Sequence, residues 1–326
     1  KEVWVEHRLG REAAAAYNLA GELQLKGTFD FEIFCWAAQQ LVDRHDSLRS
    51  HFDRDALTQT IQSEWAIEPE WIDLNGLPEA VAAERLEHFR RGEVEEAFAL
   101  FTGPLFRLKV LRMAPDDHRI LLTAHHGIAD GWSCGILAQE LGALYRARWQ
   151  GRAPQLPPAK SITDFVEEQL TYLRSEAFRA AEAHWLGQFA DGIPVLELPT
   201  DRSRPPLKTY AAAQEQLHLD PALLAELKAL AAQRGTTLFF LLYTAFQTLL
   251  HRLSGQEDFV LGLTAAAQAI AGKQNLVAHG VSLLPVRLRT DRNARFVDTL
   301  GETRRVLLDA LEHQNYSLGT LVKKLA

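Results

Sequence analysis

Cysteine is nearly absent from this chain: Cys35 and Cys134 are the only two in 326 residues. They lie far apart and show no CxxC spacing, which argues against a disulfide scaffold or a cysteine-based metal knuckle and fits a reducing compartment. No run of about 18 uncharged apolar residues occurs, so no membrane span is expected. A basic excess is missing too. The chain carries 35 Lys and Arg against 42 Asp and Glu, a formal net charge of −7, which gives no reason to expect nucleic acid or an anionic membrane as a partner. There is no internal repeat and no low-complexity segment. The opening Lys1-Glu2-Val3-Trp4-Val5-Glu6-His7 is not a signal peptide. What remains is ordinary for a globular protein, 47% hydrophobic and 24% charged, and long enough for two lobes and a large core.

The chemistry concentrates in Thr123-Ala124-His125-His126-Gly127-Ile128-Ala129-Asp130-Gly131-Trp132-Ser133. Ile120-Leu121-Leu122 leads in as a buried strand. Ile136, Leu137, Leu141 and Leu144 then recur at helical spacing, with Ser133 placed to cap the helix. Gly127 and Gly131 allow a tight turn between the two. Histidine titrates near neutral pH and suits proton transfer. Neighbouring histidines on an extended segment point to opposite faces, so one of the two should face a reaction. Asp130 can orient an imidazole, or pair with a distant arginine and fix the loop. Three readings compete: satisfied buried polar groups, a metal site from His125, His126 and Asp130, and a general base for acyl transfer. Diverging histidines disfavour the metal, and the base leads.

The remaining chain reads as alternating strands and helices. Gly21 to Gly27 alternates as a strand, and Asp30 caps a helix carrying Phe31, Phe34, Ala38, Leu41 and Val42. Trp71 to Leu74 is a short strand. Pro78 to Phe98 is a charged helix with Leu86, Phe89, Val94 and Phe98 inward. Leu105–Met113 and His118–His125 form a hairpin around Ala114-Pro115-Asp116-Asp117. The Pro-rich Gly151–Pro158 is the best linker. Ser161 to Phe189 reads as one long helix, and Tyr210 to Leu219 as a strand. Asp220-Pro221 opens a helix to Arg234. Thr236-Thr237 caps Leu238–Leu253, apolar nearly all round and expected to be buried. Asp258–Leu263 reads as a buried strand, Ala265–Lys273 as a loop, His279–Leu288 as a strand, and Leu300–Leu311 as an amphipathic helix.

His125-His126-Gly127-Ile128-Ala129-Asp130-Gly131 resembles the HHxxxDG signature of the condensation domains of nonribosomal peptide synthetases. Arg44-His45-Asp46-Ser47-Leu48-Arg49-Ser50-His51-Phe52 resembles their RHxxLRxxF motif, and Leu196–Pro205 their LELPTDRxRP loop. Ala278–Arg287 is similar to their GxFVNxxPxR segment, with Ala278 for Gly and Ser282 for Asn. The resemblance runs in order over nearly the whole chain. It implies an α/β, two-lobed chloramphenicol acetyltransferase-like fold, with mixed sheet plus helices in each lobe and an active-site tunnel between the lobes. The lobes are expected at residues 1–160, carrying the signature, and 161–326. The family's first Ser-x-Ala-Gln segment and its last strands and helix are expected to lie outside this chain, which reads as a piece of a longer polypeptide with an incomplete second lobe.

The resemblance further implies amide bond formation between a donor acyl or peptidyl thioester and the amine of an acceptor aminoacyl thioester. Both ride on 4'-phosphopantetheine arms of carrier proteins, and no cofactor is bound by the domain itself. His126 would be the base, with His125 and the backbone at Gly131 completing the catalytic group. Asp130 would be structural, paired with Arg287, and Arg44 and Arg49 would brace the fold. Trp132, Ser133 and Ser282 are candidates for the tunnel wall, and no metal is expected. Implied partners are donor and acceptor carriers and neighbouring adenylation or ketosynthase domains, in the cytoplasm. Epimerisation is disfavoured because Trp132-Ser133 reverse the relevant Ser-Trp order, and the aspartate of cyclising relatives is absent. The alternatives are a stand-alone acyltransferase making an ester or amide on a free acceptor, and a non-catalytic carrier-docking platform.

Overall fold

The computed structural model describes residues 10–54, 58–203, 205–206, 209–270 and 272–325. The opening Lys1–His7, Arg204 of the LELPTDRxRP-like loop and Ala271 of the expected 265–273 loop lie outside the described residues. The chain divides into two compact units. One holds the residues up to Thr171 plus Ala266–Val281, and the other holds Tyr172–Ala265 plus the residues from Ser282 onward. The expected boundary at residue 160 differs from this division in two ways. Ile162 and Phe165 pack with Leu276 and Ala278, which keeps the start of the next helix in the first unit, and residues 266–281 return to that unit from far along the chain.

The first unit contains α1 (Arg11–Ala15), β1 (Asn18–Lys26), α2 (Phe31–Arg44), β2 (Ser50–Phe52), β3 (Gln59–Ile61), β4 (Glu70–Asp73), α3 (Glu79–Glu95), β5 (Phe106–Ala114), β6 (Asp117–His125), α4 (Gly131–Trp149) and α5 (Ile162–Tyr172). Four strands form one sheet in the order β1-β6-β5-β4. β6 pairs antiparallel with both neighbours, Asn18 opposite His125 on one side and Phe106 opposite Ala124 on the other. Leu108, Val110, Ile120 and Leu122 pack against Phe34, Leu41, Leu137 and Leu141 of α2 and α4. Leu111 and Leu121 pack on the opposite face with Ala82 and Leu86 of α3. β6 is therefore an interior strand covered on both faces, which is why it reads as a continuous apolar run and not as an alternation.

The α3 face also buries charge. Glu93 is 2% exposed and accepts from Arg107 Nε at 2.6 Å and Thr123 Oγ1 at 2.5 Å, with Lys109 Nζ 3.4 Å away. Sequence periodicity places Val94 inward, but Val94 is 53% exposed and its neighbour Glu93 takes the inward position. The three cationic and hydroxyl partners on β5 and β6 explain why a carboxylate is tolerated there.

The second unit contains α6 (Glu176–Gln188), α7 (Pro221–Gln233), α8 (Leu238–Ser254), β7 (Asp258–Ala266), β8 (Val281–Arg289), α9 (Phe296–Glu312) and α10 (Leu318–Leu325). Its core joins Trp185, Leu250, Phe259, Leu284, Val286 and Leu307. Inside it Gln247 donates to Thr290 Oγ1 at 2.8 Å and accepts from Thr303 Oγ1 at 2.6 Å. Three expectations are corrected here. The long Ser161–Phe189 helix breaks between α5 and α6, because Ser175 turns out of the helix and accepts from Phe178 N to cap α6. Tyr210–Leu219 pairs with no strand among the described residues, and Leu217 is 87% exposed. On α8 only Leu241, Thr244, Gln247 and Leu250 are buried. Phe239, Phe246, Leu249 and Leu253 are all more than half exposed.

Replacing Glu93 by Ala leaves Arg107 and Lys109 without their buried counter-charge and should cost about 3 kcal/mol. The exposed Glu95→Ala should stay within about 0.5 kcal/mol of wild type. Urea unfolding followed by circular dichroism compares the two, and equal midpoints would show that Glu93 is not holding the sheet to α3.

Candidate active site

Two backbone hydrogen bonds place the histidines. His125 N donates to Leu105 O at 2.9 Å and His126 N donates to Tyr17 O at 2.7 Å, so the end of β6 is held from both sides. His125 is fully buried, and its Nδ1 accepts from Gly127 N at 3.1 Å. His126, on the other face, is half-buried. Gly127 sits in a tight space: a Cβ there would lie 3.0 Å from both His125 Nδ1 and the Phe52 ring, so one of them would have to shift. Gly131 has open space around it and opens α4.

Asp130 is fully buried and saturated with donors. Its Oδ1 accepts from Ser133 N and Ser133 Oγ, both at 2.8 Å. Its Oδ2 accepts from Gln268 Nε2 at 2.9 Å and Gly280 N at 3.0 Å. Asp130, not Ser133, is therefore the N-cap of α4. A second expectation is corrected with it. Arg287 holds Asp258, through Nη2 to Oδ2 at 2.6 Å, together with Asp191 and the Gln188 carbonyl, while Asp130 is satisfied by neutral donors at a helix N-terminus. Ser133, expected on a tunnel wall, is fully buried, and its Oγ also accepts from Ala278 N at 3.2 Å. Nothing local points to Gln268, the residue that sequence reasoning misses. It lies 138 positions from Asp130 and is fully buried.

The segment that brings Gln268 and Gly280 also brings His279, whose Nδ1 lies 3.0 Å from His126 Nδ1. The two rings meet edge to face, with centroids 4.8 Å apart. This is the only side-chain hydrogen bond of His126 among the described residues, and it leaves Nε2 unengaged by them. The metal reading of His125, His126 and Asp130 loses its carboxylate to the four donors. A different trio, His184, Asp309 and His313, brings potential ligand atoms within 4.8 Å of one another. The two rings there are stacked 5° from parallel with centroids 4.1 Å apart. Imidazole lone pairs lie in the ring plane, so two such planes share no point where one ion can sit without a ring turning.

Arg44 grips Glu140 with Nε at 2.8 Å and Nη2 at 3.2 Å, and His45 Nε2 lies 2.8 Å from the same carboxylate. Burial raises the Glu140 pKa, but the bonds from His45 and Arg44 outweigh it and hold the carboxyl below its ordinary range. Arg49 bonds Asp46 at 2.9 Å and the Val42 carbonyl at 3.2 Å.

The condensation-domain family model matches residues 1–326. The chain belongs to the condensation-domain family. It is 34% identical over its full length to tyrocidine synthase 2 of Brevibacillus parabrevis, covering 9% of that protein. It is also 34% identical to tyrocidine synthase 3 of the same organism, over 95% of this chain and 5% of that protein. The chain thus spans less than a tenth of the length of these relatives. A mutant of the starter condensation domain of rhizomide synthetase RzmA, in complex with C8-CoA and Leu-SNAC, aligns at TM-score 0.86 and 25% identity, with 99% of this chain and 72% of that one covered. The first condensation domain of the calcium-dependent antibiotic synthetase aligns at TM-score 0.83 and 21% identity, covering 99% and 76%. These neighbours carry the chloramphenicol acetyltransferase-like fold of mixed sheet plus helices that the sequence resemblance implies.

In this condensation domain a cleft of about 600 Å³ runs along the first turns of α4, lined by Gly131, Trp132, Ile136, Gln139, Leu156 and Pro157 among others. Trp132 is 45% exposed beside it. Ser282 is half-buried on β8 in the second unit. A smaller cleft of about 310 Å³ in that unit is lined by Arg287, Arg289 and Gln247 and contains none of the signature residues.

Asp130→Ala strips an acceptor from four buried donors and should lower stability by about 3–5 kcal/mol. Thermal unfolding tests this, and a wild-type midpoint would overturn it. Glu140, with its folded pKa depressed, contributes stability that is complete above the unfolded value of about 4.3 and is lost as pH falls through the lower folded value. Glu140→Gln should therefore be less stable than wild type at pH 7, with the gap closing below about pH 4.3. A gap independent of pH would exclude this linkage.

Proposed function

We propose that this condensation domain joins a donor acyl or peptidyl thioester to the amine of an acceptor aminoacyl thioester, both delivered on phosphopantetheine arms of carrier proteins. The observation that carries the reading is His126: a partly accessible imidazole at a rigid strand end, anchored at Nδ1 and unengaged at Nε2 by the described residues. The acceptor nitrogen forms the new C–N bond to the donor carbonyl as Nε2 takes its proton. The C–S bond then breaks, and the proton passes to the leaving thiolate. Holding both thioesters together supplies much of the acceleration. The backbone N–H groups at Gly131, in the first turn of α4, are placed on an element whose partial positive charge suits a developing oxyanion.

Trp132 would line the approach of a substrate arm along the α4 cleft. The neighbours in this reading are donor and acceptor carriers with adenylation or ketosynthase domains, in a cytoplasmic peptide or mixed polyketide–peptide pathway. No step needs a cofactor held by the domain itself.

His126→Ala, in the full-length protein with both carriers loaded, should lower amide formation by roughly 10²- to 10⁴-fold while the fold is retained. Intact-protein mass of the acceptor carrier reads the product. Unchanged product would remove the base role and favour a docking platform. Turnover of a free acceptor with no second carrier would instead favour a stand-alone acyltransferase.

A further inference from the structure

His279 stands where the family pattern GxFVNxxPxR leaves a variable position, yet its Nδ1 lies 3.0 Å from Nδ1 of His126. Two nitrogens at that distance share one proton, and which ring carries it decides what His126 can do. If His279 donates, the His126 proton sits on Nε2 and that atom cannot accept from a substrate. If His279 accepts, His126 is protonated at Nδ1 and its Nε2 lone pair is free. We propose that His279 is a positioning residue that accepts the Nδ1–H of His126 and so fixes the tautomer whose Nε2 is the base.

Three observations support the assignment. His279 is on the same segment as Gly280, whose N–H is bound to Asp130, and Ala278, whose N–H is bound to Ser133, so its backbone is anchored on both sides. The His279 ring meets His126 edge to face, 77° from parallel, with its Nδ1 turned to the Nδ1 of His126. Burial, then the neighbouring His126 imidazole, lowers the pKa of His279 despite its exposed surface, with Asp130 and a hydrogen bond to the His126 backbone opposing. A neutral ring with a lone pair is what an acceptor needs. In the reaction Nε2 takes the proton from the acceptor amine, His126 becomes an imidazolium, and its Nδ1–H stays bonded to His279. The proton on Nε2 leaves to the thiolate, and both rings return to their starting state. No other oxidant, reductant or co-reactant enters.

The inference rests on His126 as the base, and the test separates the two. In the full-length protein with loaded carriers, His279→Leu keeps the volume and removes the acceptor. His279→Asn puts an amide oxygen close to the position of Nδ1, whereas His279→Gln puts it one bond too far. Single-turnover amide formation should fall roughly 10- to 100-fold in the Leu and Gln variants, the value of one charge-assisted hydrogen bond. It should recover to within about threefold of wild type in the Asn variant. Thermal unfolding of all three should match wild type, since His279 is exposed. A Leu variant as fast as wild type, or an Asn variant as slow as Leu, overturns the role of His279. Product that survives His126→Ala overturns the base reading itself.

Discussion

One buried carboxylate holds the signature loop in shape. Asp130 accepts four hydrogen bonds with no water-exposed surface, two from the start of α4 and two from residues 268 and 280. An anion of this kind is expensive to bury unless every lone pair is used, and here all are. The helix N-terminus adds its partial positive charge from the same side. One side chain therefore fixes where α4 begins, where residues 266–281 dock, and how His126 meets His279.

The same rule governs the other charges of the first unit. Glu93 is accepted in the interior because Arg107, Lys109 and Thr123 converge on it. Glu140 is accepted because Arg44 and His45 do. In the RHxxLRxxF-like stretch Arg44 and His45 link α2 to α4 through Glu140, and Arg49 closes its own turn on Asp46. Apolar packing puts α2, α3 and α4 on the sheet, and these carboxylates set the register.

Local chemistry was legible in the sequence. Asp30, Asp220 with Pro221, and Thr237 all cap the helices their positions suggested, because capping depends only on the next three residues. The β5–β6 hairpin was legible because its turn and apolar runs are contiguous. The signature itself led to the family. Features set by distant partners were not legible. Ser175 is the exception, a local cap on α6 hidden inside an unbroken amphipathic pattern. Tyr210–Leu219 alternates without a strand to pair with. Val94 and Glu93 exchange faces because the cations that offset a buried acid are on β5. Arg287 was the wrong partner for Asp130 since a carboxylate suggests a cation, whereas the fold supplied neutral N–H groups from residues 138 and 150 positions away.

That return of residues 266–281 bears on how such domains are recombined. The signature and its cradle sit on opposite sides of the Pro-rich stretch at 151–158, the natural place to cut. Exchanging the first 160 residues with those of a relative would transfer both histidines and Asp130 but leave Gln268, His279 and Gly280 behind. The graft would then match the recipient's cradle to the donor's loop. Compatibility of chimeras should follow the pairing of these two segments more closely than overall identity between the halves.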